Sequence, residues 1–473
     1  METLQRTANR GSISTGYDIN NSLKLEADNS ENLYRDLNAS TSTTKFTHSM
    51  WVKRTELTNA QLLYMRGVAG NESTLLRFSN ESGYEHGLQI DIGAGGTNAR
   101  SVTSRKFRDT NAWYHFVLAV DTTQSTAANR RRLYVNGVEE TVFGMNNTPS
   151  QDFAMEVSSA KHRYGAYNDT DNFAPLSGYI AECHYVDGSQ LDASSFGEFD
   201  EDSGIWKPKQ YTGSYGTGGY YLKFNDSSAL GNNSAGDGTD FTLRNIAAAD
   251  QATDSPTNNF CTFNVLVQTD NKPTINEGAM HVAGGGGNWN NAYGSLGVQN
   301  GKWYYEYKVT STEFGFFGAS TFPDTSDDAT SIQFMYDQSF TIGYAAAHYY
   351  QRINGTQISN ESTGWGTTSA NDIYGLFLNV DDQEFTVARN GSVLSGTLSQ
   401  PVSFNSAFSG HFVFPCNAQY EDDGGEFNFG GYTLISNTKS YSDANGYGNF
   451  VYSPVLSGVN YYAICTKNIA EFG

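Results

Sequence analysis

Glu198, Asp200 and Asp202 occupy every second position in GEFDED (197–202), and alternate residues of a strand share one face. Carboxyl groups brought together in this way are the raw material of acid–base chemistry. The surrounding text, DASSFGEFDEDSGIWKPK, lacks strand alternation and carries turn residues on both sides. The triplet is therefore expected in a solvated loop or a short capped helical turn, where carboxyls are rarely held in a fixed reactive geometry. A second set, NDTDN (168–172), places Asp169 and Asp171 beside two asparagines. These are hard oxygen donors suited to calcium, and the same residues equally suit a polar turn that satisfies its own backbone. A third set is aromatic: Trp289, Tyr293, Tyr349, Tyr350 and Trp365 fall in glycine- or asparagine-rich stretches without an obvious inward partner. Such rings can stack on sugar faces or grip a peptide, or else cap a core from its loops. His348 and His411 stand far apart, with no serine elbow or metal spacing, and read as packing or hydrogen-bonding groups.

The elements that must position these residues are strands. Glycine (49), tyrosine (30) and phenylalanine (29) are abundant and only 17% of residues are charged, which favours short strands joined by glycine and asparagine turns. At 473 residues the chain should form about two or three domains, each able to bury a core without staples. A formal charge of −21 would repel a phosphate backbone, so nucleic acid is not an expected partner; the acidity reads as a well-hydrated surface. Cys183, Cys261, Cys416 and Cys465 are widely separated and read as buried apolar residues rather than a zinc site or disulfide framework. No apolar stretch approaches the ~20 residues of a membrane-spanning helix, and METLQRTANRGSISTGYD lacks a signal-like apolar region. The expectation is a protein folded in a cytoplasm, without membrane insertion.

In the first half, SLKLEAD, KFTHSMWVK, QLLYMRG, STLLRFS, HGLQIDIG, AWYHFVLAV, RRLYVNG and LSGYIAECHYVDG succeed one another at sandwich-like spacing. The run from Trp113 to Val120 is apolar on both faces and belongs in a sheet centre; RRLYV puts Leu133 and Val135 inward, with Arg132 and Tyr134 outward. Asn136-Gly137 supplies positive-φ residues for a tight turn. Some 250 residues later, YGLFLNVDDQEFTVARNG spells nearly the same hairpin as YHFVLAVDTT followed by RRLYVNG.

In that order, KFTHSMWVK, WYHFVLAVD, LYVNGV and GYIAECHYV resemble the concanavalin A-like lectin and laminin-G superfamily over roughly residues 21–200. The resemblance implies a curved jelly-roll sandwich and admits both glycan binders and glucanases. In the glucanase branch, acids at i, i+2 and i+4 on one strand face supply nucleophile and general acid, ~5 Å apart. The loop context of Glu198, Asp200 and Asp202 sets them against that role, and no enzymatic activity is expected. The resemblance also makes calcium the one cofactor to look for, at Asp169 and Asp171.

Residues 201–262 form a glycine-, serine- and asparagine-rich connector in which YLKFNDS and DFTLRN echo the opening strands, so extra edge strands for the first sandwich are expected there. The hinge is expected within AAADQATDSPTNN, 247–259. From 263 to 473 the phrases GKWYYEYKV, FGFFGAS, the D-D hairpin with its R-N-G exit, HFVFPCNAQY and GEFNFGGY resemble a SPRY domain, followed by a C-terminal extension. That resemblance implies a second bent antiparallel sandwich that binds through loops at one end. The expected fold class is all-β, two antiparallel jelly-roll-type sandwiches in tandem.

The pairing, with RTANRGSIS, GIWKPKQYTG, YYLKFNDSSALGNNSAGDG and YYAICTKN, is similar to structural proteins of phage virions, tail fibres and appendages above all. It implies a virion protein assembled in the host cytoplasm, with residues 1–20 as an attachment arm. Its partners would be other virion proteins and a host-surface glycan, and it would form a homo-oligomer, a trimer by analogy with fibres. A purely architectural protein, decorating a capsid or connecting tail parts, and an envelope-degrading glycosidase are the alternatives.

Overall fold

The computed structural model describes residues 16–473 except 37–38, 58–59, 69–70, 94–98, 156–159, 168–173, 236–238, 267–272, 285–288, 311–313, 322–338, 346–347, 354–355, 362–367, 395–400, 404–409, 421–423, 433–434 and 436–437. The chain divides between Thr257 and Asn258 into two compact units. Both are built from strands, and the sole α-helix among the described residues is Thr466–Phe472. The all-β fold class holds.

The first unit is a pair of eight-stranded sheets. One runs Val138–Glu139, Arg131–Val135, Tyr114–Asp121, Lys45–Arg54, Gly178–Asp187, Ser22–Leu25, Gln251–Ala252, with Tyr220–Leu222 also pairing Gly178–Asp187. The other runs Phe143–Asn146, Ala99–Lys106, Gly87–Ile92, Asn71–Phe78, Gln61–Val68, Lys161–Tyr164, Asn32–Asp36, Thr242–Arg244. Alternation along each strand sends Phe46, Met50, Val52, Phe116, Leu118, Val120, Leu133 and Val135 into a common core with Leu76, Phe78, Leu88 and Ile90 of the facing sheet. Tyr114–Asp121 lies in the middle of its sheet and is buried along its whole length, the position its two apolar faces demand. Strands Tyr220–Leu222, Thr242–Arg244 and Gln251–Ala252, all from the glycine-rich stretch, join the two sheets of this unit.

The second unit pairs a nine-stranded and a six-stranded sheet. The larger is centred on Lys302–Val309, Ile373–Asn379 and Glu384–Arg389; the smaller is centred on Val413–Tyr420, Phe314–Thr321 and Ser339–Ala345. Trp303, Tyr305 and Tyr307 alternate inward as their spacing requires, with Tyr307 stacked on Phe317. The alternation of GKWYYEYKV suggests a half-buried strand, but Tyr304 and Glu306 on its other face are also fully buried. The reason is the C-terminal segment. It returns over that face, packs Phe450, Tyr461 and Ala463 on Tyr304 and Phe377, and adds Tyr462–Ala463 parallel to Lys302–Val309. One carboxylate ties it to the sheet and another ties it to itself. Glu306 accepts the Val451 and Tyr452 amides at 3.0 and 2.8 Å, while Asp443 accepts the Tyr447, Gly448 and Ala463 amides and the Asn468 side chain.

All four cysteines are free and buried, as small apolar residues should be, and burial pushes the Cys465 thiol up to about 12. No helix among the described residues is long and apolar enough to cross a membrane.

Candidate functional site

The first sheet of the first unit has a second face, opposite the sandwich core, carrying Ser49, Trp51, Lys53, His115, Val117, Ala119, His184 and Val186. It is not bare: the chain from Ser189 onward folds back over it. Phe196, Tyr211, Tyr215 and Trp206 from this covering segment pack on Val117, Ala119, Tyr134 and Val186. Tyr134 thus faces away from the core yet is buried.

Three polar constellations lie under or on this cover. The first sits at a bulge in Gly178–Asp187, where the register with Lys45–Arg54 slips between Ala181↔Trp51 and His184↔Ser49. Glu182, at the slip, has φ +48, a left-handed conformation uncommon for a residue with a Cβ. The bulge turns its carboxylate to accept Tyr17 Oη at 2.9 Å and Tyr221 Oη at 2.6 Å. His184 Nε2 lies 3.5 Å away, and His184 Nδ1 meets Tyr215 Oη at 2.8 Å. Burial and the Glu182 charge raise the Tyr17 and Tyr221 hydroxyls far above the ordinary tyrosine range, so both remain donors.

The second constellation has the outline of a nucleophile and its base. Ser49 Oγ lies 2.8 Å from His115 Nε2. Trp206 Nε1, which can only donate, bonds His115 Nδ1 at 3.0 Å. Nδ1 is therefore the acceptor and the neutral ring carries its proton on Nε2, facing the serine. Burial holds His115 down to about 3, so this tautomer persists. A histidine that donates to serine cannot take the serine proton, and the pair is a packing device.

The third constellation is the acidic triplet. Where a loop or helical turn is expected, the structure forms a short hairpin, Gly197–Phe199 against Trp206–Pro208. The strand was illegible because it is three residues long. Glu198 pairs across it with Lys207, and Lys207 Nζ lies 3.6 Å from Glu198 and 3.3 Å from Asp200. Asp200 Oδ1 organises the turn, accepting the Asp202 and Ser203 amides and the Ser203 hydroxyl. Those bonds hold its carboxyl down to about 2, whereas a general acid needs its pKa raised. The triplet builds a turn.

This hairpin also carries an aromatic pair, one ring of it exposed. Phe199 is 49% exposed and meets Trp206 edge to face at 4.9 Å. Trp206 covers the Asn136–Gly137 turn so closely that a Cβ at Gly137 would fall 2.2 Å from its ring. The next residue, Val138, is exposed on the sheet's edge strand. The result is an apolar platform rimmed by Glu198 and Lys207, with Phe199 outermost.

The remaining candidates from the sequence scatter. Tyr293 is 1% exposed on Trp289–Tyr293, and burial raises its hydroxyl above the usual range; it is a core ring and not a surface contact, because its strand pairs along Val413–Tyr420 instead of looping outward. Trp289 begins that same strand, and Tyr349 and Tyr350 are successive residues of His348–Ile353, which pairs on both sides, so the three stand on strands where loops are expected. The side chains of Trp289, Tyr349 and Tyr350 lie outside the described residues, as do Trp365, Asp169 and Asp171 altogether. Among the described residues no group of histidine, cysteine or carboxylate side chains is arranged to hold a metal. Glu182 and His184 escaped the sequence reading, although a glutamate and a histidine inside the apolar strand GYIAECHYVD are the visible signal that buried partners must exist.

Residues 27–193 match the model of the concanavalin A-like lectin/glucanases superfamily. The match ends at residue 193, before the Phe199–Trp206 hairpin. No curated protein matches the chain. Among solved structures the chain is similar to the SPRY domain of human HERC1 at 15% identity and TM-score 0.27, covering 35% of this chain and 96% of that one. It is also similar to the PSpry domain of TRIM65 (14% identity, TM-score 0.28, 36% and 88% covered). A third is a heptameric SAP-like pentraxin from Limulus polyphemus (12% identity, TM-score 0.28, 37% and 80% covered).

Proposed function

We propose that the chain is a non-enzymatic carbohydrate-binding protein whose concanavalin A-like unit engages sugar through the Phe199–Trp206 platform, and that it serves as an appendage subunit of a virion. The observation that carries the binding reading is the exposed Phe199 ring, backed by the half-buried Trp206 and with Glu198 and Lys207 at its rim. An aromatic face stacks on the apolar face of a pyranose while neighbouring carboxylate and ammonium groups bond its hydroxyls. The match of residues 27–193 to the concanavalin A-like lectin/glucanases model supports the substrate class. The binding reading, rather than hydrolysis, is supported by the fate of the acids. Glu182 is enclosed by tyrosines, Asp200 organises a turn, and Glu198 shares its lysine with Asp200. The virion setting is supported by the phage-like phrases of the sequence, and repetition of weak sites in an oligomer would supply the avidity.

The test is a glycan array probed with the intact protein, in parallel with Phe199→Ala. Retention on a defined glycan that drops about tenfold in the variant is expected, with no reducing-sugar release from either protein. An array on which the two proteins behave alike overturns the platform as the site.

The architectural alternative is favoured by one observation: Val138, Val142 and Phe199 are all exposed apolar residues, a composition that also suits a protein neighbour. It predicts that Phe199 is covered in the assembled particle and that no glycan is retained.

A further inference from the structure

The interior of the first unit contains a row of three basic side chains, and two of them, His162 and Arg66, keep buried nitrogens without a partner. In the second sheet Arg35 pairs with His162, and His162 pairs with Arg66, so the three stand side by side across Asn32–Asp36, Lys161–Tyr164 and Gln61–Val68. All three face inward: Arg35 lies over the Tyr220 ring, the His162 ring meets Tyr185 edge-on at 4.6 Å, and Arg66 Nη1 donates to Tyr185 Oη at 2.6 Å. Arg66 and His162 are fully buried.

The hydrogen bonds leave a specific gap. Tyr64 Oη lies 2.9 Å from His162 Nδ1, and Tyr220 Oη approaches the same nitrogen at 3.5 Å. With hydroxyls on Nδ1 as donors, the neutral ring carries its proton on Nε2, which has no partner. Arg66 has only its Nη1 occupied; Nε and Nη2 have none. Those two nitrogens form the side edge of the guanidinium, whose parallel N–H bonds match two oxygens of one oxyanion. Among the described residues no carboxylate forms an ion pair with Arg66. Tyr64, Tyr164, Tyr185 and Tyr220 surround the row with hydroxyls that can orient either way. A water would satisfy single donors but would leave the guanidinium charge uncompensated in the interior.

We propose that a small oxyanion of the carboxylate or nitrate type binds inside the first unit, bidentate on Arg66 Nε and Nη2, with His162 Nε2–H as a further donor and Arg35 adding positive charge. The anion acts as a structural ligand of the sandwich, bound as the two sheets close. It is independent of the surface platform: loss of glycan binding leaves it intact, and its own absence leaves the platform intact.

The intact protein, unfolded and refolded in formate, nitrate or chloride at one ionic strength, tests this through its thermal midpoint. Formate and nitrate are used because sulfate and phosphate stabilise proteins by exclusion. The midpoint should rise with the logarithm of formate concentration, as linkage requires, and stay level in chloride. Arg66→Lys keeps the charge and removes the fork, and Arg66→Met removes both; each should flatten the formate dependence. A wild-type crystal grown from formate is the control that needs no variant: planar three-atom density on the Arg66 edge is expected. Single-oxygen density there, together with a midpoint indifferent to anion identity, overturns the proposal.

Discussion

The side-chain oxygen of Asn136 accepts the backbone amide of His115 at 2.8 Å while the Asn136 amide donates back to the His115 carbonyl at 2.9 Å. The same double clamp recurs in the second unit between Asn390 and Ile373, at 2.9 and 2.8 Å. Both asparagines take a positive φ, +47 and +50, and both precede a glycine at about +80. At the opposite end of each hairpin, a lysine that opens the neighbouring strand meets the acidic bend, Lys45 with Asp121 and Lys302 with Asp382. The repeated phrase in the sequence is therefore one mechanical solution used twice: a central strand closed at one end by lysine and at the other by an asparagine clamp.

Asn136→Ala should lose about 1 to 3 kcal/mol, because it removes the acceptor for a backbone amide and places a Cβ-bearing residue without a local polar group at positive φ. Asn136→Gly should recover part of that loss. Urea unfolding of each variant measures it, and Asn390→Ala should act alike on the second unit. Equal stability of Asn136→Ala and the parent would contradict the clamp.

Gly137→Ala should be worse than its backbone strain alone, since the new methyl would collide with the Trp206 ring. Displacing Trp206 also removes the donor that fixes the His115 tautomer. A shift in tryptophan emission should accompany the loss of stability.

Acid should weaken the first unit through its histidines. Burial holds His48 and His115 down to about 3, whereas an unfolded histidine titrates near 6.5. Between those values the unfolded chain binds protons that the folded one refuses, so stability falls as pH falls, by roughly 1.4 kcal/mol per pH unit per histidine. Glu31 works in the same interval with the opposite sign. Burial raises it to about 7 despite Lys24, so the folded state binds the extra proton and stability from this group declines as pH rises from about 4.5 to about 7. Glu31→Gln should therefore steepen the net acid sensitivity between pH 7 and pH 5. Chemical denaturation at several pH values checks this, and an unchanged slope would count against the burial of Glu31.

Asp443→Ala should loosen the C-terminal segment from within, because four of the segment's own donors lose the acceptor that folds them together. A cost of about 3 kcal/mol or more is expected, with dye binding to the uncovered face of Lys302–Val309. Full retention of stability would show that packing alone holds the segment.

Much of this architecture was legible because alternation of apolar residues dictates which face of a strand is buried. Tyr114–Asp121 and Arg131–Val135 followed their patterns. Lys161–Tyr164 did not announce itself, since the inward residues of KHRY are His162 and Tyr164, polar groups that find partners in Tyr64 and Tyr220 only once the chain has folded. Ala99–Lys106 was hidden for a similar reason, its text being mostly polar and charged. The site was less legible than the fold. The triplet GEFDED advertised chemistry that turns out to be turn geometry, while Glu182 and His184 lay inside a strand that reads as core. In the sequence Phe199 is only a spacer between acids, although it is the ring that reaches solvent.

In the second unit the incoming stretch at Asn259–Cys261 and the outgoing stretch at Ile464–Thr466 lie antiparallel and hydrogen-bonded, with Phe260 bridged to Cys465. Force applied between those two stretches would part their bonds one at a time, like a zip, and not all together in shear. A module wired in this way opens from its entry and exit stretches inward. Load applied there is met by one hydrogen bond at a time.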